Sequence, residues 1–399
     1  MPLNSSYFTG IEVYDNLKIS EYASDVLTNL CKWAEESHKV KREIKFTIRE
    51  DSYNLNAGFN YEKNTVVINY ALIQEIYRNC MLFPLYKSEM SDIDELESYV
   101  AYLRYQFRSR VLFHVEDGVP RIRRHYASDF SKKKTKEALE KYSEVLKEKP
   151  FLQESFEENN TLARFIMFEL ALTFLFFHEI SHHFQSHNLI KSNFSADAIE
   201  EKNKQQQARE ILADLQAMDL TFAYITRKNK VIDSGNAYFL HCGLNVLFLI
   251  LHHNNNGLYS GRIHSLGNHP NPVLRAQFIR CAFIAIFINL QKDPTTDIVG
   301  HEILGLTVLA LKALLCADIY WCLLLGKEDG DERSVFMEQS SDSHYNELHK
   351  EMVSLINYIE LQHKFVMHSK KNIDYEMELL NQKVFDEFIS QIRNPPNVF

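Results

Sequence analysis

The sequence predicts an α+β protein that is mainly helical, with a small antiparallel sheet near the N-terminus. Only 12 glycines and 9 prolines occur among 399 residues, which leaves little turn chemistry for an all-β fold. Apolar residues recur at helical spacing through most of the chain, whereas the alternation typical of strands is confined to residues 42–70. Hydrophobic residues make up 45% and charged residues 24% of the chain, as in ordinary soluble globular proteins.

The N-terminal 70 residues are predicted to form one helix followed by three short strands. Apolar side chains in the segment 17–30 recur near every 3.6 residues, as on one face of a helix. Apolar and polar residues alternate over 44–49, which is the pattern of a half-buried strand. Two further strands are predicted at 54–61 and 65–70, joined by the polar turn 62–64.

A series of helices is predicted from residue 160 onward. Residues 160–187 are apolar nearly all round through their first half, which is typical of a central, buried helix. Further helices are predicted at 203–227, 237–252 and 273–290. The two helices within 160–227 carry the chemistry described below.

The chain is predicted to divide near residue 300. The first domain spans residues 1–300 and contains a charged, helical insertion at 88–158. Residues 301–399 are interpreted as a helical C-terminal extension of two or three helices.

Charge and cysteine content exclude several functional classes. The net charge of −9 argues against binding to nucleic acid or to anionic membrane surfaces. Six cysteines without a CxxC pair form neither a disulfide framework nor a thiolate zinc site, and the N-terminus lacks the pattern of a signal peptide, so we expect a cytoplasmic protein. The longest apolar run, residues 303–325, contains Lys312 and Asp318, each of which costs about 2.5–3.5 kcal/mol at the centre of a membrane-spanning helix. We therefore expect no membrane insertion.

The segment HEISH at residues 178–182 carries the strongest chemical signal. His178 and His182, four residues apart on one helical face, can reach a single metal ion, and Glu179 can contact a water bound to that ion. The alternative is a pair of structural histidines on a core helix. The apolar run before the motif weakens that alternative, because unpaired imidazoles are costly to bury.

A catalytic zinc site needs a third protein ligand and an open position for water. The extended pattern HExxHxxGxxH is absent, because Asn188 stands where its third histidine would be. The segment EILAD places Glu210 and Asp214 on one face of the next helix. Glu210 is the predicted third ligand, with a solvated surface position as the alternative. Asp214 is predicted to accept a hydrogen bond from the other ring nitrogen of His178 and so to fix its tautomer. The predicted ion is Zn²⁺.

HEISH followed by EILAD resembles the gluzincin arrangement, HExxH plus ExxxD, of thermolysin-like and minigluzincin zinc metallopeptidases. HPNPVLR at 269–275 resembles the HPxxxxR element of the membrane-embedded Ste- and Htp-type peptidases, and a similar architecture is expected in the intracellular, phage-exclusion Lit-type peptidases. NAGF at 56–59 with TVVIN at 65–69 resembles the segment that builds their substrate-binding edge. The resemblance spans about residues 42–75 and 160–290 and implies a zincin-like catalytic domain.

The resemblance implies zinc-dependent hydrolysis of a peptide bond in an intracellular protein substrate, with bacterial phage defence or stress regulation as the setting. Glu179 would act as general base, and His269 or Arg275 would stabilise the oxyanion. The strand at 56–61 or the strand at 65–70 would bind the substrate by strand addition. ImmA-type regulators of phage repressors share HExxH and a downstream glutamate, so the alternative is a zinc-stabilised regulatory or interaction protein with restricted or no proteolysis.

Overall fold

The structure is a computed structural model. Long helices make up most of it, as the spacing of apolar residues predicts. It describes residues 16–38, 43–52, 54–83, 85, 114–116, 119–121, 159–185, 199–229, 234–256, 269–291, 303–324, 342–369 and 382–394. The helices within these residues are α1 (Asn16–His38), α2 (Tyr70–Leu82), α3 (Asn159–Phe184), α4 (Ile199–Asn229), α5 (Ser234–Asn256), α6 (Pro272–Gln291), α7 (Ile303–Leu324), α8 (Asp342–Ser369) and α9 (Gln382–Arg393). The strands are β1 (Lys45–Arg49), β2 (Ala57–Asn60), β3 (Thr65–Asn69), β4 (His114–Glu116) and β5 (Val119–Arg121).

The N-terminal sheet is mixed, so the prediction of an antiparallel sheet is wrong. Its strand order is β1-β3-β2, with β2 antiparallel and β1 parallel to β3. β3 is the most deeply buried of the three strands and occupies the centre. Because β2 and β3 form a hairpin, the chain crosses from β1 to the far side of the sheet before it enters β2. That crossing makes β1 and β3 run in the same direction.

The hairpin leaves β2 at one edge of the sheet. Its turn ends at Asn64, whose φ of 50° lies in the left-handed region that asparagine adopts more readily than most residues. The Asn64 Nδ2 donates a hydrogen bond to the Glu43 carbonyl at 2.8 Å, which anchors the turn to the start of β1. β3 is paired along both sides. Within the described residues, β2 therefore has the free edge next to α3.

Helix α3 lies at the centre of the fold. From residue 163 to residue 185 almost every side chain is buried, as expected for a helix that is apolar nearly all round. It packs against α1, α2, α4, α5 and β2. The bounds of α3 and α4 agree with the predicted helices within a few residues.

The three C-terminal helices pack against the helices that precede them. α7 contacts α5, α8 contacts α4 and α9 contacts α6. Ala317, Ile359 and Phe388 from these helices belong to the same apolar core as α3. The division of the chain at residue 300 stays a prediction.

Part of the segment at 88–158 is a β-hairpin, so the prediction of a helical insertion is wrong for those residues. β4 and β5 pair antiparallel on either side of residues 117–118. These two residues are Asp-Gly, a strong local signal for a tight hairpin that the charged surroundings obscured. The rest of the predicted insertion lies outside the described residues.

One segment of the described residues, Pro272–Leu290, is long and apolar enough to cross a membrane. Its most apolar stretch is 67% buried within the protein, as in the core helix of a soluble protein. The structure is therefore compatible with a soluble protein. The run at 303–325, which the sequence singled out instead, corresponds to α7.

Gly243 lets α5 approach α3 closely. A Cβ atom at this position would lie 2.7 Å from the Met167 carbonyl oxygen and 3.3 Å from the Ala171 Cβ. Gly243→Ala is therefore expected to lower the free energy of unfolding by about 1–3 kcal/mol, because the backbone of α3 would have to shift. Denaturant unfolding measures the change.

Gly305→Ala in α7 is the matched control, because a Cβ at Gly305 would meet nothing within 4 Å. The control is expected to be neutral or to stabilise the protein by up to about 1 kcal/mol through helix propensity. Equal stability of Gly243→Ala and wild type would contradict the close approach of the two helices.

Candidate metal centre

Helix α3 brings two imidazoles together at the end of its buried run. His178 and His182 lie one turn apart, and their Nε2 atoms are 3.2 Å apart. Burial lowers the pKa of His182 to about 4, which keeps its ring in the neutral form that binds metals. Burial acts in the same direction on His178, but Asp214 and Glu210 outweigh it and raise the pKa of His178 to about 10. A metal ion at His178 therefore competes with a proton.

Helix α4 adds a carboxylate to this pair. The Glu210 Oε2 lies 3.4 Å from the His178 Nε2, and the Glu210 Oε1 lies 3.5 Å from the His182 Nε2. Burial raises the pKa of Glu210, yet His182, His178 and His269 outweigh it and hold that pKa well below its usual range. The buried Ala213 and Ala217 on α4 leave little bulk between this helix and its neighbours.

A buried glutamine ties α3 to α4 one turn beyond the histidines. The Gln185 Nε2 donates hydrogen bonds to the Leu212 carbonyl at 3.0 Å and to the Gln216 Oε1 at 2.7 Å. Sequence reasoning missed this contact, since a glutamine near the end of an apolar helix carries no motif. It fixes the spacing at which Glu210 faces the histidines.

The three side chains fit a metal ion. For bonds of about 2.0–2.1 Å, two ligand atoms of a tetrahedral zinc site lie about 3.3–3.4 Å apart. The two histidine nitrogens lie 3.2 Å apart, and each lies 3.4 or 3.5 Å from a different oxygen of Glu210. Among the described residues, His178, His182 and Glu210 are the group whose ligand atoms converge in this way. Two imidazoles and one carboxylate suit zinc and other first-row divalent ions.

Asp214 lies behind His178, buried between it and Arg275. Its Oδ1 is 2.8 Å from the His178 Nδ1, the place that the sequence predicted. Arg275 donates to both carboxylate oxygens, from Nε to Oδ2 at 2.7 Å and from Nη2 to Oδ1 at 2.6 Å. Burial raises the pKa of Asp214, but Arg275 and His178 lower it below its ordinary value. The charged carboxylate holds the His178 ring with Nε2 toward Glu210.

Arg275 and His269 occupy different surroundings, although both line the cleft described below. The guanidinium of Arg275 is buried and paired with Asp214. The His269 side chain is 68% exposed, and its Nδ1 lies 3.7 Å from the Glu210 Oε1. The nearby carboxylate of Glu210 raises the pKa of His269.

Glu179 stands beside the three ligand residues and is not one of the converging groups. Its side chain lines the same cleft and is largely buried. Burial raises the pKa of Glu179 to about 7, with Glu210 adding to the shift and His178 opposing it. A carboxylate with a pKa near 7 can both accept and return a proton at neutral pH.

The metal centre opens into a cleft of about 420 Å³. The segment before β2, the helices α3 and α5, and the residues 269–275 form its walls. Its apolar side chains come from the start of β2 and the segment before it, from α2, α3 and α5, and from residues 270–272: Leu55, Ala57, Leu72, Phe174, Leu175, Leu247, Leu251, Pro270 and Pro272. A peptide chain could therefore pass the metal centre with one apolar side chain sheltered from water.

Aromatic contacts fasten the other end of β2 to α3. The Phe59 ring stacks on His183 with ring centroids 4.5 Å apart, which places His183 off the metal face. The Tyr61 ring lies 5.9 Å from His183. Burial raises the pKa of Tyr61 to about 12, and the carboxylates of Glu179 and Glu210 add to the shift. Sequence reasoning missed Tyr61, since one tyrosine after a strand carries no signal of its own.

Asp214→Asn is expected to weaken zinc binding by about 10–100-fold, because asparagine keeps the size of the side chain and loses the charge that orients His178. Competition with a coloured chelator measures the affinity. Glu201→Gln, an exposed position in the first turn of α4, is the control and is expected to bind zinc as wild type does. If Asp214→Asn binds zinc with the affinity of wild type, Asp214 does not support the metal centre.

No protein-family model, no curated protein and no solved structure matches the chain.

Proposed function

We propose that this protein is a zinc-dependent endopeptidase of the gluzincin kind that cleaves an intracellular protein. The observation that supports it most is the convergence of His178, His182 and Glu210 within reach of one metal ion. Glu179 stands beside this group in the same cleft. The ligand set matches the two histidines and one glutamate of catalytic zinc sites, which leave a fourth position open.

The three ligand residues would hold the ion on one wall of the cleft. When bound, zinc supplies a Lewis acid that polarises a carbonyl and makes water acidic enough to lose a proton near neutral pH. Glu179 accepts the proton of the attacking water and later delivers it to the leaving nitrogen. Its pKa of about 7, raised by burial, suits both steps.

We assign stabilisation of the oxyanion to His269 and a positioning role to Arg275. Arg275 donates to both oxygens of Asp214, so its strongest contacts hold His178 through that carboxylate. His269 is exposed beside Glu210 and can turn toward a substrate. A well-placed donor to an oxyanion contributes roughly 3–4 kcal/mol to catalysis.

The substrate is proposed to bind as an added strand along β2. β3 is excluded as the binding strand, because its hydrogen-bonding groups already pair with β1 and β2. The start of β2 borders the cleft at Ala57, so a chain paired with β2 would pass the metal centre. One apolar side chain of the substrate would fit between Leu247, Leu251 and Phe174.

The proposed partner is therefore a protein substrate, with no role for nucleic acid or membrane. The net charge of −9 supports this, as does the burial of α6 within the protein. We propose a soluble, cytoplasmic enzyme. The resemblance to Lit-type peptidases supports bacterial phage defence by analogy.

The metal tests this proposal first. We expect about one tightly bound zinc per chain in protein purified without chelator, because the donor set is that of a catalytic zinc site. Removing zinc with a chelator should abolish cleavage of a cell lysate, and adding zinc back should restore it. Protein that contains no zinc, or that cleaves equally well without it, would contradict the proposal.

A further inference from the structure

Two polar side chains of α4, Arg209 and Gln206, lie next to the metal centre and are not among its ligands. Arg209 directly precedes the ligand Glu210, and Gln206 lies three residues earlier on a neighbouring part of the helix surface. The Arg209 Nε and the Gln206 Oε1 are both buried without a hydrogen-bond partner, although each side chain as a whole is partly exposed. Such atoms in a native protein call for an explanation, and an absent ligand is one.

No acidic side chain of the described residues neutralises Arg209. Burial lowers the pKa of Arg209, and the charged group that acts on it is the hydroxyl of Tyr61. The carboxylates of the metal centre have other cationic neighbours, since His178 and Arg275 lie close to Asp214 and His269 lies close to Glu210. The charge of Arg209 is therefore available to a molecule from outside.

Arg209 lies toward the far end of the proposed binding strand. Ala57 at the start of β2 lines the cleft. Tyr61, which follows the end of β2, neighbours both Arg209 and the carboxylates of Glu179 and Glu210. Tyr61 is held there by ring contacts with Phe59 at 5.3 Å and with His183 at 5.9 Å. At about 3.3 Å per residue, the strand from Ala57 to Tyr61 spans roughly 13 Å. A peptide paired with β2 would pass from the cleft at Ala57 toward Arg209.

We propose that Arg209 binds an acidic side chain of the substrate, toward the Tyr61 end of β2. This inference rests on the proposed function. The planar guanidinium matches a carboxylate with two parallel hydrogen bonds, and the unpartnered Arg209 Nε is one of the donors. The preferred substrate is then a segment that combines one apolar and one acidic residue a few positions apart.

Profiling of cleavage sites tests this specificity. The full-length, zinc-loaded protein is incubated with peptides from a digested proteome, and the new ends are read by mass spectrometry. Wild type should enrich Asp and Glu at one fixed position. Arg209→Gln should lose this preference, and Arg209→Glu should replace it with a preference for Lys and Arg. Lys202→Glu, an exposed position on the same helix with the same change of charge, should keep the wild-type preference.

Binding without cleavage gives an independent readout. A fluorescent peptide copied from the best-cleaved site, and its counterpart with the acidic residue changed to the amide, are titrated into the Glu179→Gln protein. The amide peptide should bind about 10–100-fold more weakly, as for loss of a charged hydrogen-bonded pair. In the Glu179→Gln, Arg209→Gln double variant the two peptides should bind equally.

The outcomes separate this inference from the proposed function. Cleavage without an acidic preference, or a preference that survives Arg209→Gln, would overturn the role of Arg209 and leave the peptidase intact. A wild-type protein that cleaves no peptide would overturn both.

Discussion

Glu179→Gln is expected to slow peptide cleavage by about 10²–10⁴-fold, the contribution of a positioned general base. Glutamine has the same size but cannot accept the proton of the attacking water. Glu179 is not one of the three converging ligand residues, so zinc content and fold should stay unchanged. The rate of cleavage of a peptide mixture, together with the zinc content of the same sample, measures both effects.

Glu169→Gln is the matched control, because it makes the same change in another buried carboxylate of α3. Glu169 accepts a hydrogen bond from the Tyr22 hydroxyl at 3.3 Å and does not line the cleft. Its substitution should therefore affect stability and not the cleavage rate per folded molecule. If the two variants lose the same amount of activity, Glu179 supports the fold and is not the general base.

His182→Ala is expected to remove the metal and the activity together. The His182 Nε2 is one of three converging ligand atoms, and two ligands cannot hold zinc in a catalytic site. Zinc at a concentration 100 times its dissociation constant stabilises a protein by about 2.7 kcal/mol, so wild type should unfold at a higher temperature when zinc is added. His182→Ala should lose this zinc-dependent shift.

His183→Ala is the control for His182→Ala. His183 is the next residue along α3, but its ring stacks on Phe59 and takes no part in the ligand group. This variant should keep its zinc and its zinc-dependent shift in unfolding temperature. A His182→Ala protein that still binds one zinc with wild-type affinity would refute the assignment of the ligands.

The two variants also separate the enzyme from a zinc-stabilised regulatory protein. Such a regulator would be sensitive to His182→Ala, because it needs the metal, and indifferent to Glu179→Gln, because it performs no proton transfer. The peptidase requires both residues.

The sequence predicted the parts of the site that depend on the period of a helix. His178 and His182 share one face of α3, and Glu210 and Asp214 share one face of α4, because residues four apart are neighbours on any helix. The burial of α3 followed from its apolar surface. That α3 and α4 pack together depends on contacts between residues distant in sequence. This packing was predicted only because HEISH followed by EILAD resembles a known zinc motif.

Features that depend on distant pairing were missed. Arg275 and Asp214 are 61 residues apart, and no local pattern marks them as partners, so Arg275 was predicted only as an alternative to His269 at the oxyanion. Alternation of apolar and polar residues identifies a strand but not its direction, and the parallel pairing of β1 with β3 was therefore missed. The hairpin of β4 and β5 was lost in a charged segment, although its Asp-Gly pair was a local signal.

The central claim is that His178, His182 and Glu210 hold a zinc that, with Glu179 as base, cleaves a protein. Quantitative mass spectrometry of protein fragments in cells that express wild type or Glu179→Gln at equal levels tests it most directly. We predict at least one new protein fragment in the cells that express wild type, strongly reduced with Glu179→Gln although both proteins carry zinc. The same fragments appearing at the same rate with both proteins would contradict the claim.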